Sequence, residues 1–223
     1  MNKLLLYNGN IYSSESLQQK VEALYIDNGK ISALGSNSEL KLQIGRNDVT
    51  SVNLEGAYVF PGLVDNHMHL PDHGMKFSML DLSQAKSKQE MLDIVKRQVR
   101  HTSLDKWILG LNWNENAFDD PQIPSIQELD DLSDRHPILL RRTCYHAHIA
   151  NSIAFQRAGI HEESPDPSGG AFGRDGQGRL NGIIYEEASA PFYAVQPKPD
   201  YSMKKEYVKK AVQHALSLGL TAS

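Results

Sequence analysis

Short apolar runs separated by turn dipeptides fill the first sixty residues of the chain. The run LLLY is followed by Asn8-Gly9, and the run VEALYI is followed by Asp27-Asn28-Gly29. Asn-Gly supplies the positive φ angles that tight hairpin turns require, and the runs have the length of strands. We therefore predict a small antiparallel β module over residues 1–60.

The pattern changes at Pro61-Gly62, after which apolar runs alternate with segments that repeat with the period of a helix. This alternation is typical of an α/β fold. The predicted elements are, in order, a strand over 62–70, a helix over 87–101, a strand over 107–113, a helix over 125–133, a strand over 136–147, and a short helix capped by Asn151-Ser152 and ended by Gly159. Ser87 and Ser125 each precede a glutamate by three positions, which is the capping-box signal of a helix start.

The last third of the chain contains one irregular segment and one helix. Residues 161–182 are rich in Pro, Gly, Asp and Ser and contain no long apolar run, which predicts a loop or a small hairpin. Apolar side chains over 202–218 recur at the spacing of an amphipathic helix, and Gly219 ends it. The final residues, LTAS, predict the start of another strand.

The amino-acid composition limits which binding partners and which cellular compartment we expect for this protein. The chain has 223 residues, 40% of them hydrophobic, and a formal net charge of −4, so it carries no basic field for a nucleic-acid backbone. Its single cysteine, Cys144, excludes an internal disulfide framework and fits a reducing compartment, so we expect a cytoplasmic protein. The leucines at 4–6 form too short a run for a signal peptide or a membrane span, so we also expect no membrane partner.

The candidate chemistry begins with three polar residues in the run GLVDNHMHL. Asp65, His67 and His69 stand at i, i+2 and i+4, which on a strand places their side chains on one face. Neutral imidazole is a ligand suited to zinc and similar divalent ions. The pair predicts half of a catalytic metal site; the alternative is a solvated histidine pair beside a loop.

The context of these histidines resembles a known family. The string AYVFPGLVD leading into His-x-His resembles the entrance signature of the amidohydrolase superfamily, the urease-like metal-dependent hydrolases. The runs LYNGNIYS and IDNGKISALG are similar to that superfamily's N-terminal β-sandwich strands. Downstream, WILGLNWNEN, residues 124–160 and residues 165–188 are similar to the branch that includes N-substituted formamide deformylase.

The resemblance implies a (β/α)8 TIM-barrel hydrolase with a small N-terminal β-sandwich module. Residues 1–60 would form the module, and residues 61–223 the first three to four βα units of the barrel. Eight such units need about 240 residues, whereas only 157 run from His67 to Ser223. We therefore expect the N-terminal portion of a longer family member, inactive by itself, with the catalytic acid/base Asp beyond residue 223.

The resemblance also implies roles for individual residues. His67 and His69 match the two metal ligands of the first barrel strand, for one or two divalent ions of which zinc is the expected identity. Glu186 matches a glutamate of this branch and would reach a metal or a substrate amine, or would only favour a helix start. Trp113 and Glu115 match a Trp-Asp-Glu turn of the substrate pocket, although Asn114 stands where Asp is usual.

The third predicted strand departs from the family pattern. His146 matches the histidine of the usual Asp-Gly-His, but Cys144 and Tyr145 replace the Asp and the Gly, so the substrate pocket is altered there. His148 completes a second His-x-His, and we interpret it as a loop residue or cap contact in preference to a metal ligand. The other histidines are interpreted as ordinary surface residues: His73, His101, His136, His161 and His214.

The function implied is metal-dependent hydrolysis of a non-peptide C–N bond, of amide or formamide type, by metal-activated water. The alternatives are a deaminase or cyclic-amide hydrolase of the same superfamily, and a non-catalytic binding protein with the amidohydrolase fold. The expected partner is a small-molecule substrate. The oligomeric state stays open, with a homo-oligomer among the alternatives.

Overall fold

A computed structural model describes residues 3–13, 20–45 and 48–223. The chain divides into two compact units. The first contains the described residues up to His67 together with Ala215–Ser223, and the second is Met68–His214.

The secondary structure is mixed throughout. The strands are β1 (Lys3–Tyr7), β2 (Asn10–Tyr12), β3 (Lys20–Val21), β4 (Ala23–Asp27), β5 (Lys30–Gly35), β6 (Thr50–Asn53), β7 (Tyr58–Val59), β8 (Leu63–Val64), β9 (Leu80–Asp81), β10 (Ile108–Trp113), β11 (Ile138–Arg142), β12 (Ala147–Ala150), β13 (Gly170–Arg174), β14 (Leu180–Glu186) and β15 (Leu220–Ala222). The helices are α1 (Asn37–Ile44), α2 (Leu70–Lys76), α3 (Lys88–His101), α4 (Ile126–Asp130), α5 (Ser152–Arg157), α6 (Ala190–Ala194) and α7 (Tyr201–Ser217).

The first unit contains a four-stranded sheet in the order β5-β4-β1-β6 and a three-stranded sheet in the order β3-β2-β7. Asn8 and Asn28 have φ angles of 57° and 51°, as the Asn-Gly turns predict. The prediction of a wholly antiparallel module is wrong, because β1 pairs with β6, and β2 with β7, in parallel. Parallel neighbours need a connection longer than a hairpin turn, and here each pair is joined through several intervening elements.

The prediction also missed α1, which follows β5. Ser36 accepts a hydrogen bond from the backbone of Glu39, and the Glu39 carboxylate accepts one from the backbone of Ser36. This is a complete capping box, and its signal was present in the sequence. Leu40 and Ile44 of α1 are buried with Leu5 and Ala23, so the helix closes one face of the four-stranded sheet.

The second unit is built on a six-stranded sheet in the order β13-β14-β12-β11-β10-β9. Strands β9, β10 and β11 are parallel, with α3 and α4 in the connections between them, which confirms the predicted α/β alternation. Met91, Val95 and Leu129 of these helices are buried against Ile108 and Ile138. A second cluster, built around Phe155, Phe172 and Phe192, is buried among residues of α5, β13 and α6.

Two predicted strands are shorter than expected. The strand predicted over 62–70 ends at Val64, and the strand predicted over 136–147 ends at Arg142. After a turn the chain returns as β12, antiparallel to β11. The segment 161–182 belongs largely to a hairpin of β13 and β14, one of the two predicted alternatives.

The predicted helices over 87–101, 125–133 and 202–218 are present as α3, α4 and α7, and Gly219 follows α7 with a φ of 81°. No helix in the described part of the chain is both long enough and apolar enough to cross a membrane.

Asn151 connects α5 to the sheet. Its side-chain Oδ1 accepts hydrogen bonds from the backbone of Ala154 at 3.1 Å and of Ile138 at 2.9 Å, and its Nδ2 donates to the carbonyl of His136 at 2.9 Å. The side chain is fully buried. The predicted helix cap therefore also satisfies two backbone groups at the start of β11.

Candidate active site

Polar side chains gather at one edge of the six-stranded sheet. Because β9, β10 and β11 are parallel, their carboxyl ends meet there, and β14 ends there too since it and β11 are both antiparallel to β12. Carboxyl ends of strands are where α/β folds place their ligands. The residues at or just beyond these strand ends include Asp81, Asn112, Glu115, Arg142, His146 and Glu186.

Glu115 and Arg142 form a two-pronged ion pair. The guanidinium Nε and one terminal nitrogen of Arg142 donate to the two carboxylate oxygens, both at 2.8 Å. Only 17% of the Glu115 side chain and 19% of the Arg142 side chain are exposed. The hydrogen bonds from Arg142 lower the pKa of Glu115 against the opposing effect of burial, so the pair is charged at neutral pH.

His146 and Glu186 form a second pair, which is open to solvent. The imidazole Nδ1 lies 2.9 Å from a carboxylate oxygen of Glu186, and the backbone N–H of Glu186 donates to the carbonyl of His146. The hydrogen bond to Glu186 and its negative charge raise the pKa of His146. The structure thus brings together two of the predicted site residues, from strands 40 positions apart.

The turn between β11 and β12 carries the residues that depart from the family pattern. Tyr145 has a φ of 69°, a conformation uncommon for a bulky residue, and its ring is partly exposed. Burial would raise the pKa of the Cys144 thiol, but hydrogen bonds from Arg142 and from the backbone of His146 and Ala147 outweigh it and lower the pKa.

Trp113 packs in the core, and the expectation that it faces a pocket instead of the core is wrong. It is 1% exposed and lies in the cluster between the sheet and α3. Its indole nitrogen donates to the carbonyl of Leu140 at 2.9 Å. A tryptophan whose N–H has a hydrogen-bond partner can be buried without loss and adds a large apolar area to the core. This explains why Trp113 packs inward at the end of β10.

His148 lies in β12 and not in a loop, so that interpretation is also wrong. It is 2% exposed, and its Nε2 is 2.7 Å from the hydroxyl of Tyr193. Burial, and secondarily the charge of Arg141, lowers the pKa of His148 to about 4, so the ring is neutral at pH 7. Tyr193 stands 45 positions away in α6, and no local sequence signal marks this pairing.

Several of the histidines interpreted as ordinary surface residues have partners. His136 is 3% exposed and contacts Ser133 Oγ at 2.8 Å through Nδ1, while its Nε2 lies 3.1 Å from the carbonyl of Ser103. His73 Nε2 is 3.0 Å from Nδ1 of His214, and both rings contact Phe77. The surface interpretation is wrong for His136, which fills a polar position beneath the loop before β11.

The two histidines proposed as metal ligands follow β8 instead of lying on it. The backbone N–H of His67 donates to Asp65 Oδ1 at 2.9 Å, and His69 is the N-cap residue immediately before α2. The argument that a strand places both side chains on one face therefore does not apply. Among the described residues, no group of three or more His, Cys, Asp or Glu is arranged to hold a metal ion. Two imidazoles suit a divalent ion by donor type but provide only part of its ligands.

A model of the amidohydrolase family matches residues 50–223. The chain belongs to the amidohydrolase family. This match confirms the resemblance inferred from the segment that leads into His67 and His69.

Relatives of this amidohydrolase-family chain cover nearly all of it. It is 35% identical over 219 residues to the protein named as the putative amidohydrolase YtcJ of Bacillus subtilis (strain 168). This alignment covers 98% of this chain and 41% of YtcJ. It is 25% identical over 227 residues to the N-substituted formamide deformylase of Arthrobacter pascens, covering 99% of this chain and 42% of that protein. A crystal structure of an uncharacterized metal-dependent hydrolase from Pyrococcus furiosus has a TM-score of 0.68 and 27% identity, covering 99% of this chain and 43% of that one.

The chain thus spans less than half the length of these relatives. The comparisons support an α/β hydrolase domain of the amidohydrolase superfamily.

Proposed function

We propose that this amidohydrolase-family protein hydrolyses a non-peptide C–N bond of amide or formamide type in a small molecule. The observation that carries the proposal is the polar edge of the six-stranded sheet, where His146 and Glu186 pair in the open at 2.9 Å. The similarity to N-substituted formamide deformylase supports this bond type over other hydrolase chemistry. We also propose a complete (β/α)8 barrel with an N-terminal β-sandwich module, and a cytoplasmic location.

The proposed metal ligands are His67 and His69, with Glu186 as a further candidate, and zinc is the proposed ion. When bound, such an ion polarises the substrate carbonyl and lowers the pKa of a coordinated water. Imidazole nitrogen and carboxylate oxygen are both donors that zinc accepts.

The chain's own residues would bind and orient the substrate beside that ion. His146, whose pKa is raised by Glu186, can donate a hydrogen bond from its ring to an oxygen of the substrate. Two hydrogen bonds from Arg142 hold the Glu115 carboxylate in place. Both side chains would therefore stay charged beside the substrate near neutral pH and would not transfer protons. Tyr145 presents its ring to solvent beside His146, where it would border the bound substrate.

The test is a double substitution, His67→Ala with His69→Ala, in the full-length protein. We expect the unchanged protein to carry about one or two divalent ions, and the variant to lose metal and activity while keeping its fold. Metal is counted by elemental analysis, hydrolysis is followed with a small N-substituted formamide, and folding is followed by circular dichroism.

The matched control is His101→Ala with His161→Ala, which removes two exposed histidines outside the proposed site. Unchanged metal content in the His67/His69 variant would show that the ligand assignment is wrong. An unchanged protein that binds metal but releases ammonia from amines would instead indicate a deaminase, and one that binds no metal would indicate a non-catalytic binding protein.

A further inference from the structure

Two cationic side chains lie over one aromatic ring beside the candidate active site. The Arg141 guanidinium carbon is 4.2 Å from the centroid of the Tyr145 ring, and Lys76 Nζ is 5.2 Å from the same centroid. Arg141 ends β11, Lys76 ends α2, and Tyr145 directly precedes His146. Within the described ranges, neither cation forms a salt bridge, in contrast to the neighbouring Arg142.

The Tyr145 ring that both cations contact is accessible. Tyr145 is 44% exposed although its backbone has a φ of 69°, so it is held in a costly conformation without the compensation of burial. Backbone strain of this kind is concentrated at functional sites.

On its inner side, Arg141 is next to buried polar side chains. The hydroxyl of Tyr193 lies beside it and is fixed by His148 Nε2 at 2.7 Å, and His148 is almost fully buried. The Nε of Arg141 is itself buried and has no hydrogen-bond partner among the described residues. The guanidinium is therefore bordered by the Tyr145 ring and the Tyr193 phenol, and no carboxylate of the described residues forms a salt bridge with it.

Attraction to the ring does not by itself account for two cations. An exposed cation–π contact is a weak attraction, and two positive charges gathered at one ring repel each other. An anion bound by both cations would offset this repulsion. Arg binds a carboxylate through two parallel hydrogen bonds, and Lys adds a compact charge that can follow the ligand.

We propose that Lys76, Arg141 and Tyr145 form a binding site for a carboxylate group of the substrate. This inference rests on the proposed function and narrows it, because it names the substrate class as amides or formamides that also carry a carboxylate. The arginine and the lysine bind the carboxylate oxygens, and the Tyr145 ring packs against the adjoining part of the molecule. The reacting C–N bond then lies toward His146.

The test compares two ligands of nearly the same shape, benzoate and benzamide, by calorimetric titration at pH 7.5. The protein is expressed with its natural ends. We expect benzoate to bind at least about ten-fold more tightly than benzamide, the size of effect that one charge-assisted hydrogen bond produces. Equal affinities, or no saturable binding of benzoate, would overturn the proposal.

Substitutions locate the binding. Arg141→Gln and Lys76→Gln are each expected to weaken benzoate binding about ten-fold and to leave benzamide binding unchanged. The matched controls are Arg97→Gln and Lys96→Gln, exposed cations of α3, which should change neither. If Arg141→Gln fails to fold, Lys76→Gln still decides, since its side chain lies at the end of a short helix. Losses no larger than in the controls would reject the site.

Two further measurements separate the possible failures. Inorganic phosphate should compete with benzoate only weakly, and phosphate that binds more tightly than benzoate would overturn the carboxylate assignment. Hydrolysis of N-substituted formamides with and without a carboxylate is measured in parallel. Selective benzoate binding without any hydrolysis would reject the proposed function and keep the carboxylate site, whereas hydrolysis without selective binding would do the opposite.

Discussion

Two ion pairs at the same sheet edge differ mainly in their exposure to water. The Glu115–Arg142 pair is largely buried and two-pronged, whereas the His146–Glu186 pair has side chains that are 70% and 54% exposed. Exposed pairs contribute little to stability because water screens them and the side chains lose conformational freedom. The first pair therefore fixes the turn after β10 against the end of β11, and the second is available for binding and proton chemistry.

Glu115→Gln should destabilise the protein, because it leaves the Arg142 guanidinium with a weaker acceptor in a largely buried position. We expect a loss of about 1–3 kcal/mol in the free energy of unfolding at pH 7, measured by urea denaturation. The lowered pKa of Glu115 fixes the sign of the pH dependence. Its contribution is present above the unfolded value of about 4.3 and is lost as pH falls through the folded pKa.

The control is Glu163→Gln, because Glu163 is 87% exposed and its ion-pair partner among the described residues is an exposed histidine. This variant should differ from the unchanged protein by less than about 0.5 kcal/mol. An equal effect of the two substitutions, or a loss in Glu115→Gln that does not shrink toward pH 3, would show that the Glu115–Arg142 pair is not stabilising.

At the scale of elements, α2 and α7 approach each other through a glycine. A Cβ atom added to Gly74 of α2 would lie within 1.7 Å of the backbone oxygen of Tyr207 in α7. No real atom can occupy that position, so the two helix backbones are in direct contact there. The neighbouring contact of His73 with His214 and the hydrogen bond from Lys210 Nζ to Ser78 Oγ lie along the same interface.

Gly74→Ala should therefore separate the two helices. Overpacking of this kind costs about 1–3 kcal/mol, although alanine returns up to about 1 kcal/mol as the better helix former. Thermal denaturation followed by circular dichroism measures the net loss. Gly176→Ala is the matched control, since nothing lies within 4 Å of its added Cβ, and a melting temperature as low in that variant as in Gly74→Ala would refute the packing argument.

At the scale of the whole molecule, the first unit exposes a strip of apolar residues. The apolar strip comprises Tyr12, Tyr58, Phe60, Leu63 and Val64, with the last four each 60–65% exposed. The rings of Tyr12 and Phe60 stack at 5.0 Å. Leu63 and Val64 form β8, whose parallel partner is β15. Parallel strands are normally covered on both faces, so this surface is unusual for a protein in water.

The 223-residue polypeptide is therefore expected to self-associate through the apolar strip. Light scattering coupled to size-exclusion chromatography should give a mass above that of one chain, rising with concentration. Leu63→Ser should reduce this association, whereas Leu42→Ser, which removes a leucine that is 85% exposed on α1, should not. A compact monomer with a cooperative unfolding transition would contradict the expectation.

Features with local causes could be predicted from the sequence. The start of α3 follows from Ser87 and its spacing to Glu90, and the turns at Asn8 and Asn28 follow from the ease with which Asn-Gly takes positive φ. The family was equally readable, because its motif is a continuous string ahead of His67. In each case the residues that determine the outcome lie within a few positions of one another.

Features that join distant parts of the chain could not be predicted in this way, because they depend on how the folded elements pack together. The parallel pairing of β1 with β6, the burial of Trp113 and the hydrogen bond between His148 and Tyr193 each depend on a partner that no local pattern names. A buried polar atom must find a partner wherever the fold brings one, and an apolar ring packs wherever the most water is excluded. The packing of the sheet and helices together decides these outcomes. The same short motif can therefore be buried in a core, form an ion pair or remain exposed at the edge of a sheet.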